Sequence, residues 1–127
     1  MKRCLFLLAA LWLFSACADS QQAPPLALSV QIEDWTHRYE AGSSVSLPIR
    51  VSAQHGNGWQ GEVRLQLRTQ NELIEVWEQV VMVPPDSATL VEVAVQLPVE
   101  AGTYEWVAEV LHPDGHTTKS RRLIEVK

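Results

Sequence analysis

The sequence predicts an all-β fold, a seven-stranded antiparallel sandwich over residues 26–127, preceded by a helical N-terminal signal segment. Three observations predict it. Apolar and polar residues alternate with period two along most of that length, which places one face of each stretch in a core and the other in water. Turn-rich clusters, "EAGSS", "HGNGWQG", "PPDS", "VEAGT" and "HPDGH", recur at about the 8–12-residue spacing of a sandwich. The densest β-branched stretch stops at Pro84-Pro85, as a strand does before residues that cannot donate to a ladder.

The strands follow in order. Residues 26–33 alternate Leu28, Val30 and Ile32 with Ser29, Gln31 and Glu33. Residues 43–53 place Val45, Leu47, Ile49, Val51 and Ala53 on one side. Pro48 within them lacks a backbone donor, which predicts an edge strand or a bulge. Residues 61–69 bury Val63, Leu65 and Leu67. Residues 71–83, "NELIEVWEQVVMV", are ambiguous. Apolar residues at 73, 74, 77, 80 and 81 suit a helix, whereas β-branched density and a hairpin at "RTQNE" favour a strand over 73–83. Residues 88–97 turn Thr89, Val91, Val93, Val95 and Leu97 inward, and 103–111 do the same with Tyr104, Trp106, Ala108 and Val110. The last strand, 117–126, places Ile124 and Val126 opposite Leu123 and Glu125.

The N-terminus gives an address. Lys2 and Arg3 precede an apolar run from Leu5 to Phe14, followed by Ser15, Ala16 and Cys17. A run of that length reads as an export signal and is too short for a bilayer core of ~30 Å, which needs about 20 apolar residues. "Phe14-Ser15-Ala16-Cys17" resembles the signal of bacterial lipoproteins, with Phe14 where leucine is usual. The resemblance implies removal of residues 1–16 and acylation of Cys17, by palmitate and related chains. Two or three chains hold a protein stably where one does not. Ala18 after the cysteine implies the outer membrane rather than the inner one, with the domain facing the periplasm. Residues 17–25, polar and ending in Pro24-Pro25, then form a flexible linker.

Composition narrows the function. The only cysteines are Cys4 and Cys17, so the folded body is held by packing without a disulfide. Without Lys2 and Arg3, eight basic residues stand against 15 acidic ones, a formal −7. That balance excludes nucleic acid as a partner, because phosphate binding needs clustered cations. Nucleophile-elbow, zinc-protease and phosphate-loop signatures are missing, so an enzyme is not expected. Glu72, Glu75 and Glu78 serve solubility.

The stretch "Val99-Glu100-Ala101-Gly102-Thr103-Tyr104-Glu105-Trp106" followed by "His112-Pro113-Asp114-Gly115" is similar to the last hairpin of immunoglobulin-like and fibronectin-type-III-like bacterial modules. The resemblance implies that the Tyr104 hydroxyl pins the loop before its strand. It also implies that the loop with His55 and the loop with His112 and His116 share one end of the sandwich. Three imidazoles there, with Asp114 adding an oxygen, would suit copper or zinc, although turn chemistry alone also accounts for these residues. Trp106 falls among core positions. Trp59, beside His55 and Asn57 in a glycine-rich loop, either stacks on a sugar or partner, or forms a lid on the core. The expected function is that of a lipid-anchored, periplasm-facing scaffold accessory to an envelope protein assembly, needing no cofactor. A carbohydrate-binding module at Trp59 and a copper or zinc carrier at the histidines are the rivals.

Overall fold

The computed structural model describes residues 25–127, so the signal segment, Cys17 and nearly all of the linker lie outside the described residues. Eight strands follow one another: β1 (Ala27–Ile32), β2 (Arg38–Tyr39), β3 (Ser44–Gln54), β4 (Trp59–Arg68), β5 (Leu73–Val83), β6 (Ser87–Gln96), β7 (Gly102–Leu111) and β8 (Thr117–Val126). They build two sheets, one of five strands in the order β2-β8-β7-β4-β5 and one of three in the order β1-β3-β6. The pairings are antiparallel except that of β2, which runs parallel to the end of β8 through Arg38–Glu125 and Tyr39–Val126. No helix occurs among the described residues.

Period-two alternation sorts the residues as it predicts. The small sheet turns Leu28, Val30, Ile32, Leu47, Ile49, Val51, Val91 and Val95 toward the large one. The large sheet answers with Val63, Leu65, Leu67, Tyr104, Trp106, Ala108, Val110, Ile124 and Val126. These residues form one contiguous cluster, and each large aliphatic side chain fully buried contributes about 1.5–3 kcal/mol. Residues 73–83 form a strand, not a helix, paired to β4 along its length with a register shift at Leu67/Arg68.

Three expectations are corrected. The strands number eight because β2 adds two residues, too few for alternation to announce. Pro48 lies in β3, the central strand of the small sheet, and not at an edge. Its carbonyl accepts from the Glu33 N–H (2.9 Å), just past the end of β1. The proline nitrogen points to that same side, so the one bond forgone is the return bond to the Glu33 carbonyl, where the β1 ladder ends. The third concerns Val107, which faces outward yet is only 2% exposed. Its cross-strand neighbours Gln66 and Arg121 flank it, and their aliphatic stems can shield it.

The two flanks of the sandwich differ. On one, the Ile32 N–H donates to Ser120 Oγ (3.2 Å) and Arg122 Nη2 donates to the Ile32 carbonyl (3.2 Å), tying β1 to β8. The Arg122 guanidinium also lies 4.2 Å from the centre of the exposed Trp35 ring. On the other flank β5 and β6 are both sheet edges. Thr89 Oγ1 donates to the Met82 carbonyl (3.0 Å) near their shared turn. Val81 and Val83, beside that turn, are the residues β5 buries, and farther along the flank stands open.

Candidate functional site

Two places carry more chemistry than the fold requires: the open flank at β5 and the hairpin joining β7 to β8. On β5 the outward side chains Ile74, Val76, Val80 and Met82 are exposed, Val80 and Met82 by 64% and 65%. On the core side Glu75 and Gln79 are exposed and Trp77 is half-buried, because the three-stranded sheet is too narrow to cover them, while Leu73, past the register shift, lies opposite the outward Arg68. Trp77 rests on Trp106 with ring centres 6.0 Å apart and planes tilted by 56°. Beside it a cleft of about 170 Å³ opens between Val63, Leu65, Val91 and Val93. Glu78 is held by Arg64 Nε at 2.9 Å, and this contact raises the Arg64 pKa. Among the described residues the outer edge of β5 pairs with no strand.

The hairpin is a tight turn. The Gly115 N–H donates to the His112 carbonyl (3.0 Å), and the His112 N–H donates to the His116 carbonyl (2.8 Å). Gly115 takes φ of 102°, which a side chain rarely tolerates. This closure stacks the His112 and His116 rings at 3.8 Å. His112 is buried, and its Nε2 lies 2.7 Å from Thr118 Oγ1, which fixes the ring's orientation. Asp114 Oδ1 accepts from the His116 N–H (3.1 Å) and lies 2.6 Å from His116 Nδ1. These bonds from His116, the backbone one foremost, hold the Asp114 carboxyl below its ordinary pKa. One ligand atom from each of His112, Asp114 and His116 lies within 4.8 Å of the others.

His55 does not join them. It follows β3 in a left-handed conformation (φ 66°), and its N–H donates to Asp86 Oδ1 at 2.9 Å. The expected common end exists, since Gly58, Trp59, His112 and Pro113 line one depression there. The imidazole of His55 is outside the close group because its turn is anchored to the β5–β6 turn instead. Asn57 is exposed on that same turn.

Trp59 corrects the picture of a free stacking platform. It is the first residue of β4, only 8% exposed, and belongs to the core cluster. Its indole occupies the space a side chain at Gly61 would need, since a Cβ there would collide with the six-membered ring. The Trp-x-Gly spacing carried that signal, because Trp59 and Gly61 share a strand face. Trp106, at 1% exposure, is core as predicted. The Tyr104 hydroxyl donates to the Glu100 carbonyl at 2.8 Å and pins the loop before β7, as the resemblance implies.

Comparison with known proteins yields a fold. No family model and no curated protein matches this sequence. Among solved structures, a CARDB domain from Pyrococcus furiosus in complex with di-metal ions matches over 80% of this chain and 93% of its own, with a TM-score of 0.59 and 15% identity. The sporulation control protein Spo0M from Bacillus subtilis matches over 80% of this chain and 49% of its own (TM-score 0.61, 14% identity). A β-glucosidase from Erythrobacter marinus matches over 81% of this chain but only 15% of its own (TM-score 0.59, 16% identity). At these identities the likeness establishes a single β-sandwich module of immunoglobulin-like type and nothing about ligands.

Proposed function

We propose that this chain is a lipid-anchored binding module of the bacterial envelope, accessory to a protein assembly, and that it acts by binding and not by catalysis. Acyl chains on Cys17 hold it at a membrane surface, the outer membrane in the sorting that Ala18 implies, and residues 17–25 let the sandwich stand off. The observation that carries a binding role is the uncovered β5 edge. Sheet edges are ordinarily blunted by shortness, proline, lysine, bulges or inward-pointing charge; β5 is 11 residues long without lysine or proline, and its only such devices are the register shift near its start and the inward Glu75. The sugar-binding alternative loses its support with the burial of Trp59.

Intact-mass measurement of the exported protein tests the anchor. The expected species lacks residues 1–16 and carries acyl mass that Cys17→Ser abolishes, together with membrane association. An unmodified thiol at Cys17 would sink the reading.

One observation favours a second, compatible property, binding of zinc or copper by His112, Asp114 and His116. Two imidazoles and a carboxylate suit these ions, which take such ligands at about 2.0–2.2 Å with water completing the set. Tetrahedral binding needs the ligand atoms about 3.3 Å apart, so His116 would exchange its Asp114 hydrogen bond for the ion. Titration calorimetry with Zn²⁺ and Cu²⁺ is expected to give 1:1 binding that His116→Ala removes and His55→Ala leaves intact. Absence of heat at micromolar metal would exclude it.

A further inference from the structure

The open flank has a chemical preference. Resting on the binding role just proposed, we infer that the groove between β5 and β6 takes an extended, mainly aliphatic segment of a partner protein that bears lysine or arginine, and that this segment adds to β5 as a further strand of the large sheet.

Three features define the occupant. The free edge of β5 supplies unpaired backbone donors and acceptors to an extended chain, the usual basis of strand addition. The cleft of about 170 Å³ beside Trp77 has room for about five waters, the scale of one large side chain, and Val63, Leu65, Val91 and Val93 line it together with Glu78 and Glu92. An aliphatic residue entering there would cover the half-buried Trp77, while Val76, Val80 and Met82 would meet apolar surface on the other face. The third feature is charge. From Thr69 to Thr118 the chain contains no lysine or arginine, whereas β5, β6 and their flanking turns carry Glu72, Glu75, Glu78, Asp86 and Glu92.

That acidity selects among strands. Glu75 points to the core side of an edge strand and is exposed, so a neutral or acidic neighbour would strand its charge beside apolar side chains. A basic residue in that place neutralises it, and cross-strand pairs of opposite charge stabilise where like charges oppose. A second copy of this chain is disfavoured for the same reason. Antiparallel pairing of two β5 strands about their midpoint sets the Arg64-paired Glu78 against its own copy and offers Glu75 no cation from either β5 strand.

The test uses the full-length chain in detergent and three capped ten-residue peptides: alternating valine and lysine, alternating valine and glutamate, and the valine–lysine peptide interrupted by two prolines. Hydrogen exchange and calorimetry are read together. The valine–lysine peptide is expected to slow exchange across residues 73–83 and to bind more weakly as salt rises. Glu75→Lys and Val80→Lys, with circular dichroism confirming their folds, are each expected to weaken it about tenfold, and the other two peptides are expected not to bind. Equal binding of the glutamate peptide, protection elsewhere, or indifference to both substitutions would overturn the assignment. Concentration-dependent dimerisation with protection of residues 73–83 would also overturn it, giving the flank to a second copy. If the lipidated protein retains a co-purified partner in the Glu75→Lys variant, the anchored module stands and the flank assignment alone fails. An unlipidated Cys17 removes the anchor without touching the peptide result.

Discussion

Tyr104 shows how much one side chain can settle. Its hydroxyl reaches back to the Glu100 carbonyl from a ring that is 5% exposed, and burial raises its pKa. Tyr104→Phe is expected to lose about 1 kcal/mol, seen as a lower urea midpoint at unchanged slope. Asp34 gives the complementary case. Burial works against its charge but is outweighed by bonds from Thr36 and from the Tyr39 hydroxyl (2.8 Å), so its pKa falls below the usual 3.8. Burial, and then Asp34, push the Tyr39 pKa up. A lowered carboxylate pKa means stability present above the unfolded value and lost as pH falls through the folded one. Asp34→Asn should therefore flatten the decline in melting temperature below about pH 4, and an unchanged acid limb would refute the role. Tyr104 was legible because a short motif announces it. Asp34 was not, because its partner Tyr39 sits in a two-residue strand without a pattern of its own.

At the scale of elements, β4 owes its start to the Trp59–Gly61 contact. A methyl group at Gly61 meets the indole, so Gly61→Ala should destabilise by about 1–3 kcal/mol through overpacking. Gly102→Ala is the control. Its Cβ would find only Tyr104 at 3.7 Å, an ordinary contact, and the change should stay within about 0.5 kcal/mol. Equal losses would show that the indole contact is not what requires glycine at position 61. Strand existence was legible almost throughout, since alternation reports a half-buried face directly. Residues 71–83 were the ambiguous case for a reason now visible. On a strand with no covering sheet, apolar residues fall on both sides, and the period-two signal vanishes. The same irregularity that blurred the element marks its exposed edge.

For the whole molecule, one cluster joins both sheets, so neither is expected to persist without the other. Far-ultraviolet circular dichroism and tryptophan fluorescence should report coincident urea transitions. Trp106→Ala, which empties the most voluminous fully buried position, should cost about 3–5 kcal/mol. Separate transitions would mean that the sheets unfold independently. The sandwich and its inward faces followed from the sequence, because periodicity is a local property that survives without three-dimensional context. The histidines mark the limit of that logic. His112 and His116 are close in sequence and meet, whereas His55 shares their end of the sandwich but is drawn away by Asp86 on another turn. Which flank closes and which stays open was likewise decided in three dimensions. It depends on one sheet having five strands and the other three, and strand partners far apart in the chain leave no mark at either position alone.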